Sequence, residues 1–144
     1  MSSPSEPVAF RSCNSSKMGK IRVAIIGLGR MGRKYLKEIV NNPCYDVVYL
    51  CDIDNDLRQR GEAIAPNATF INDADIIFND KSVDAVFLCE SSDSRYVHIK
   101  KALLTGKHVF AEKPVAMSPE QEWEIYGLVK DYQGVVAVNL LNRN

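Results

Sequence analysis

Residues 20–32 read KIRVAIIGLGRMG, and this stretch decides the fold of the chain. The apolar run 21–26 does not alternate with polar residues, a pattern typical of a central parallel strand that is buried on both faces. Three glycines follow, at positions 27, 29 and 32. The stretch therefore predicts a strand, a tight glycine turn and the start of a helix.

Each glycine has a separate predicted task in a turn that binds a dinucleotide. Gly27 permits the tight turn, Gly29 leaves room for a close pyrophosphate, and Gly32 lets the helix pack against the strand. The helix that begins near Arg30 directs its free N–H groups at the phosphates. A glycine-rich turn alone is weak evidence, but Asp52 follows Gly27 by 25 positions (52 − 27) and closes the next strand. That spacing suits a ribose-binding carboxylate, so the context favours dinucleotide binding over a purely structural turn.

Length and composition restrict the function classes. The 144 residues correspond to one domain, and 46% hydrophobic residues are enough for a core. Lys plus Arg and Asp plus Glu are both 18, so charge gives no indication of a nucleic acid or an anionic membrane as partner. No apolar run has the length of a membrane span, and the N-terminus lacks the apolar core of a signal peptide. With reduced, buried thiols predicted at Cys51 and Cys89, a cytoplasmic location is expected.

Residues 1–19 differ in composition from the rest of the chain. They are rich in serine, contain two prolines and show no hydrophobic periodicity, which predicts a disordered extension. An organelle-targeting presequence is the alternative, because Arg11 and Lys17 are present, but Glu6 and the lack of an amphipathic basic face argue against it. Residues 20–144 are then the predicted dinucleotide-binding domain.

Strand and helix patterns alternate from residue 21 onward, which predicts an α/β fold with a parallel sheet and helices on both faces. The predicted strands after the first are 46–51, 68–71, 84–89, 107–111 and 135–140. The predicted helices are 30–40, 55–65, 94–105 and 118–132, together with a brief helix through Phe78 that Asp73 would cap. Gly106 is expected as a left-handed helix cap. Ser118 and Gln121 are expected to form a capping box, with Pro119 in the first helical position. Six strands complete a Rossmann doubly wound sheet in the order 3-2-1-4-5-6.

This strand order predicts where a ligand binds. Strands one and four flank the topological switch point, so the ligand should lie beyond their carboxyl ends. The segments at that edge are 27–32, 89–92 after strand four, and 112–114 after strand five. Lys113 is thus expected near the nicotinamide end of the cleft.

Three motifs together resemble a known family: GLGRMG at 27–32, CDID at 51–54 and GKHVFAEKP at 106–114. They are similar to those of the N-terminal domain of the Gfo/Idh/MocA oxidoreductases, the group of glucose-fructose oxidoreductase and inositol 2-dehydrogenase. The resemblance extends from about residue 20 to the end of the chain. Its most specific part is the block 106–114, which few other dinucleotide-binding folds carry at the fifth strand.

The resemblance implies an NAD-dependent dehydrogenase that transfers a hydride between nicotinamide and an alcohol carbon of a sugar, inositol or related polyol. Lys113 matches the catalytic lysine of the family's E-K-P motif, and His98 matches a histidine in the helix after strand four. Asn142 and Arg143 match a closing segment that leads into a second, substrate-binding domain. That domain would begin where the chain stops, so these 144 residues alone are expected to be inactive.

The predicted site combines the glycine turn with the ends of strands two, four and five. Its cofactor-binding members are Gly27, Gly29, Arg30, Met31, Gly32, Asp52, Ile53, Glu90, Ser91, Ser92, His98, Glu112, Lys113 and Pro114. The segment 90–92 departs from the family, which has a small residue or threonine followed by proline there. Glu112 is expected to hold Lys113. Asp52 favours NAD over NADP, because its charge repels a 2′-phosphate, while Arg58 and Arg60 leave NADP as the alternative.

Several interpretations remain open at this level. A structural role is the favoured interpretation for both His98 and His108, and Arg30 either lies over the pyrophosphate or is solvated. No cysteine and histidine group has metal-ligand spacing, so no metal is expected. The chain is either the cofactor-binding part of a dehydrogenase or a non-catalytic nucleotide-binding module, and the intact E-K-P motif favours the first. Self-association is expected through the C-terminal strand, where Leu140 and Leu141 would be uncovered.

Overall fold

A computed structural model describes residues 19–112 and 114–139. They form one six-stranded sheet in the order β3-β2-β1-β4-β5-β6, and every described strand pair is parallel. The strands are β1 Ile21–Ile26, β2 Tyr45–Cys51, β3 Thr69–Ile71, β4 Ala85–Leu88, β5 His108–Glu112 and β6 Val136–Asn139. The predicted Rossmann topology is confirmed. The predictions for residues 1–18, Lys113 and 140–144 lie outside the described residues.

Five helices connect these strands: α1 Arg30–Val40, α2 Arg58–Ile64, α3 Asp75–Phe78, α4 Ser92–Leu104 and α5 Pro119–Lys130. Helices cover both faces of the sheet, and β1 shows this most clearly because its side chains alternate between two hydrophobic clusters. Ala24 and Ile26 belong to the cluster that includes Ile99 of α4, whereas Ile25 belongs to the cluster that includes Leu36 of α1. A strand covered on both faces needs apolar residues at every position, which accounts for the uninterrupted run in the sequence.

Several predicted boundaries were wrong by one or two residues, and one helix is divided. The segment predicted as a helix over 55–65 contains a 3-10 turn, Asn55–Leu57, followed by α2. Asp54 causes the tighter start, since its carboxylate accepts a hydrogen bond from the N–H of Asp56 at 2.9 Å. Asp73 was predicted to cap a brief helix through Phe78. Its carboxylate accepts from the N–H of Asp75 at 3.0 Å, and the regular helix begins at Asp75.

The predicted helix caps are confirmed in part. Gly106 has a φ of 76°, as a left-handed cap requires. The hydroxyl of Ser118 accepts from the N–H of Gln121 at 3.2 Å, which is the first half of the capping box. The second half was wrong, because the Gln121 side chain reaches one residue further and accepts from the N–H of Met117 at 3.1 Å.

Two residues of the block 106–114, Lys107 and His108, have structural roles at the amino end of β5. Lys107 is buried and its Nζ donates to the carbonyls of Asp80 at 2.8 Å and Val83 at 3.0 Å, while burial lowers the pKa of this lysine. The neighbouring His108 accepts the N–H of Val135 through Nδ1 at 3.0 Å. The structural role favoured for His108 is thus confirmed. These two residues join β5 to its surroundings at the end of the sheet opposite the predicted cleft.

Candidate functional site

The glycine turn fits tightly against the end of β4. Gly27 has a φ of 97°, and a Cβ at this position would lie 2.5 Å from the backbone nitrogen of Glu90 and 2.6 Å from the carbonyl carbon of Cys89. Neither the backbone conformation nor the space tolerates a side chain. The turn after β1 and the segment after β4 therefore form one rigid edge of the site.

The other two glycines of the turn have opposite surroundings. A Cβ at Gly32 would lie 1.8 Å from the carbonyl oxygen of Gly27, so α1 begins in direct contact with the turn. A Cβ at Gly29, which is the N-cap of α1, would meet nothing within 4 Å. Both observations agree with the predicted tasks, because Gly29 faces the open space in which a pyrophosphate would approach the backbone. Arg33 also stabilises the turn, because its Nη1 donates to the carbonyl of Leu28 at 2.8 Å. Sequence reasoning missed this residue.

Asp52 is held at the rim of the turn by two backbone groups. Its Oδ2 accepts the N–H of Leu28 at 2.7 Å, and its Oδ1 accepts the N–H of Asp54 at 2.9 Å. A carboxylate oxygen has a second acceptor direction, so each still has capacity for one ribose hydroxyl. The two hydrogen bonds therefore fix the orientation of the side chain at the edge of the turn.

Asn72, which follows β3, supports the same corner and was missed by sequence reasoning. Its Nδ2 donates to the carbonyl of Asp52 at 2.8 Å and to Oδ1 of Asn55 at 2.8 Å. A single asparagine after a three-residue strand has no distinctive sequence signal. Its one indication was topological, since the predicted order places the end of β3 beside the end of β2.

Glu90 and His98 form a pair in the segment after β4. Oε2 of Glu90 contacts Nδ1 of His98, and only 13% of the Glu90 side chain and 19% of the His98 side chain are exposed. The His98 ring also packs against Phe78, with ring centroids 5.6 Å apart. Among the described residues, the second oxygen of Glu90, Oε1, is buried and has no hydrogen-bond partner.

Arg95 joins the two segments that follow β4 and β5. It is buried, and its guanidinium donates from Nη2 to the carbonyl of Glu90 and from Nη1 to the carbonyl of Pro114. Sequence reasoning missed this residue, although an arginine on the inward face of a helical pattern was a signal. Because Pro114 follows Lys113 directly, Arg95 fixes the backbone beside the predicted catalytic lysine. Lys113 itself lies outside the described residues, and its role stays a prediction.

These groups surround a cleft of about 560 Å³ at the carboxyl ends of β1, β2 and β4. Seven predicted site residues line it: Gly27, Gly29, Asp52, Ile53, Glu90, Ser91 and His98. The lining does not include Arg30, Met31, Gly32, Ser92, Glu112 or Pro114. Residues that sequence reasoning did not select complete the wall, among them Asn72, Asp73, Asp75, Ser94 and Lys101.

The charge of this cleft is mainly negative. Four of its lining residues are carboxylates, Asp52, Asp73, Asp75 and Glu90, and its lysine, Lys101, is paired with Asp75 at 2.6 Å. A dinucleotide would therefore be bound by backbone N–H groups at the turn rather than by a cluster of cationic side chains.

The two cysteines of the cleft are poor nucleophiles. Burial, and then the nearby carboxylates Asp52, Glu90 and Asp73, raise the pKa of the Cys51 thiol to about 12. Burial, and then Glu112 and Glu90, raise the pKa of Cys89 to about 12 as well. Both are free thiols, as predicted, and both stay protonated at neutral pH.

Within residues 19–112 and 114–139, no group of three or more His, Cys, Asp or Glu side chains is arranged to hold a metal ion. None of the helices in this part of the chain has both the length and the apolar character that crossing a bilayer requires.

Comparison with known proteins agrees with the fold. The structure of myo-inositol dehydrogenase from Lactobacillus casei, in complex with NAD(H) and myo-inositol, superposes with a TM-score of 0.77 at 28% identity, covering 83% of this chain and 36% of that one. Glycosyl hydrolase family 109 protein 3 from Phocaeicola vulgatus is 32% identical over 136 residues, 87% of this chain and 24% of the relative. The scyllo-inositol 2-dehydrogenase (NADP(+)) of Bacillus subtilis is 28% identical over 130 residues, 88% of this chain and 35% of that protein.

The chain thus spans about a third or less of the length of these relatives. Residues 21–140 match the model of one family, which is described as an oxidoreductase family with an NAD-binding Rossmann fold. The glycine turn, the carboxylate after β2 and the six-stranded order are all present within that range. The chain therefore belongs to the Gfo/Idh/MocA oxidoreductase family, and residues 21–140 match that family's NAD-binding Rossmann fold.

Proposed function

We propose that this domain binds NAD(H) as the cofactor of a dehydrogenase that acts on an alcohol carbon of a sugar, inositol or related polyol. The observation that carries the proposal is the position of the Asp52 carboxylate, which accepts a hydrogen bond from the N–H of Leu28 next to the open space at Gly29. A ribose and a pyrophosphate need these two features next to each other. The names of the inositol dehydrogenases among the relatives support the substrate class.

Each part of the site would have a separate role in binding the cofactor and the substrate. The first turn of α1 and the backbone at Gly29 would receive the pyrophosphate, and Asp52 the adenosine ribose. The bound nicotinamide supplies the hydride acceptor or donor. Lys113 would hold the proton of the substrate alcohol, with Arg95 fixing the neighbouring backbone through the carbonyl of Pro114.

A binding experiment tests the proposal. Titration of the chain with NADH, followed by nicotinamide fluorescence and by calorimetry, should show saturable binding to one site per chain. The affinity should be modest, because the described cleft would contact the cofactor from one side only. A flat titration up to millimolar NADH would contradict the proposed function.

A second candidate for these 144 residues by themselves is a nucleotide-binding module without turnover. Hydride transfer requires the substrate to be held at near-attack distance from the ring. We therefore expect no NADH formation from NAD and polyols or sugars with the isolated chain. Measurable turnover that is linear in enzyme concentration would refute this expectation and favour a complete site. A cytoplasmic location also remains a proposal.

Self-association through the C-terminal strand is a further part of the proposal. β6 is an edge strand of the sheet, and unpaired edges with apolar side chains tend to pair with a second copy. We expect light scattering to show a mass that rises with concentration, and the rise should disappear in the double variant Leu140→Glu and Leu141→Glu. A mass that stays monomeric for the unchanged chain at every concentration would refute the proposal.

A further inference from the structure

Helix α5 presents two large aromatic side chains to solvent. Trp123, the one tryptophan of the chain, is 76% exposed, and Tyr126 is 47% exposed. The two residues are three positions apart, so their side chains are neighbours on the helix surface. Single exposed apolar residues are normal on a protein, whereas tryptophan and tyrosine together are enriched at protein interfaces. The pair thus marks a candidate docking surface.

The ion pair of a neighbouring residue shows which way this surface faces. Glu124 pairs with Lys100 of α4 at 2.6 Å, so the Glu124 side of α5 faces α4. Successive residues of an α-helix are about 100° apart, which places Tyr126 on the flank remote from α4. Both helices lie on the same face of the sheet, whose order ends with β5 and β6. The exposed flank therefore lies beside β6, the last strand of the described sheet.

Two charged residues share this flank with Tyr126. Glu122 lies four positions before the tyrosine and Lys130 four positions after it, so the three side chains form one stripe along α5. The two charges are about 12 Å apart along the helix, too far to pair with each other. Within the described part of the chain, neither has an ion-pair partner. The stripe thus carries opposite charges at its ends and an aromatic ring at its centre.

Such a stripe is complementary to a second copy of itself in the antiparallel direction. When two α5 helices pack antiparallel with both Tyr126 side chains at the centre, Glu122 of each copy faces Lys130 of the other. A two-fold axis perpendicular to the helices produces this arrangement, and two-fold symmetry is the commonest symmetry of soluble oligomers. The same axis makes two β6 edges antiparallel, so one symmetry operation pairs both elements.

We propose that the stripe of Glu122, Tyr126 and Lys130 docks a second copy of this chain, in a two-fold symmetric dimer whose α5 helices pack antiparallel beside paired β6 edges. Trp123 then lies at the rim of the contact, one turn before Tyr126. The inference rests on the self-association proposed above and names the helix surface that accompanies it. It also explains how one register is selected, because charges at fixed positions specify a register that main-chain pairing of strands leaves open.

Charge reversal tests this register. Lys130→Glu sets two carboxylates against each other at both ends of the stripe, and Glu122→Lys does the same with two ammonium groups. Sedimentation equilibrium over a concentration series should show that each single change raises the dimer dissociation constant about tenfold or more. The double variant Glu122→Lys and Lys130→Glu restores opposite charges, so its dissociation constant should return close to that of the unchanged chain.

Melting temperatures separate this rescue from an effect on folding. Glu122 lies in the first turn of α5 and Lys130 in the last, where their charges stabilise the helix. The double variant reverses both, so it should have the lowest melting temperature of the set and still form the dimer. Lys37→Glu is the matched control, since Lys37 is the basic residue in the last turn of α1, on the other face of the sheet. This change should leave the dissociation constant unaltered.

Trp123 provides a second readout that needs no substitution. Its emission maximum should shift to shorter wavelength as the concentration rises through the dissociation constant, because the partner helix excludes water from the ring. In the Lys130→Glu variant the emission should stay constant over the same range. None of these measurements involves NADH, so their result is independent of cofactor binding.

The outcomes distinguish this surface from edge pairing alone. A chain that stays monomeric at every concentration overturns the inference together with the proposed self-association. A dimer that Leu140→Glu with Leu141→Glu abolishes, but that neither charge reversal weakens, leaves the edge pairing intact and overturns the α5 surface. Single reversals that weaken the dimer without rescue by the double variant would show that the two charges do not meet across the axis, and that result also overturns the inference.

Discussion

Gly32→Ala is expected to reduce the free energy of unfolding by about 3 kcal/mol or more and to remove most NADH binding. The new Cβ would lie 1.8 Å from the carbonyl oxygen of Gly27 and 2.9 Å from its carbonyl carbon. Both are backbone atoms of a turn that is itself packed against Cys89 and Glu90, so no flexible side chain can move to relieve the clash. Urea unfolding followed by circular dichroism measures the loss, and NADH titration measures the binding.

Gly29→Ser is the matched control, because it adds a side chain to the same turn where the space is open. Serine is a preferred N-cap residue, so the free energy of unfolding should change by no more than about 0.5 kcal/mol. NADH affinity should nevertheless fall about tenfold or more, since the side chain occupies the space predicted for the pyrophosphate. The assignment of the turn is wrong if Gly32→Ala unfolds like the unchanged chain or if Gly29→Ser binds NADH normally.

The glycine turn was predictable because its requirements are local. A left-handed φ at Gly27 and a close contact at Gly32 depend on a few neighbouring backbone atoms, and the spacing of three glycines after a buried strand reports both. Asp52 was predictable for a similar reason, because strand length and the βαβ connection fix its place after β2.

The rest of the site depends on contacts between distant segments, which no local pattern reports. Asn72, Arg95 and the pairing of Glu90 with His98 each join residues from different strand ends or helices. Lys107 shows, conversely, that a residue in a family-specific motif need not belong to the site. It belongs to the most family-specific block of the sequence, yet its buried Nζ fastens the amino end of β5, far from the cleft.

We expect NADH to bind at least about tenfold more tightly than NADPH, because a 2′-phosphate would lie against the Asp52 carboxylate. Both oxygens of this carboxylate are fixed by the N–H groups of Leu28 and Asp54, so the side chain cannot turn away from a 2′-phosphate. Like charges in this arrangement repel, and one factor of ten corresponds to about 1.4 kcal/mol. Calorimetric titration of the same preparation with the two reduced cofactors measures the ratio.

One of the two arginines that left NADP open as an alternative, Arg58, is engaged elsewhere. Nε of Arg58 pairs with Glu62 at 3.0 Å, and its guanidinium lies 5.8 Å from the centre of the Phe70 ring. A 2′-phosphate would have to compete for it with both contacts, although the side chain is exposed and such surface pairs are weak. The NADP(+) in the name of the Bacillus subtilis relative makes the ratio worth measuring directly.

Asp52→Ser separates the effect of the carboxylate from that of its surroundings. The smaller, neutral side chain leaves room for a 2′-phosphate, so NADH should weaken, NADPH should weaken less or improve, and the ratio should approach one. Asp54→Asn is the matched control, because Asp54 caps the 3-10 turn with its side chain and asparagine caps equally well. That variant should keep the NADH preference of the unchanged chain. A ratio near one before any substitution, or a ratio that Asp52→Ser leaves intact, would place the selectivity in other residues, and Arg58→Ala would then be the variant to measure.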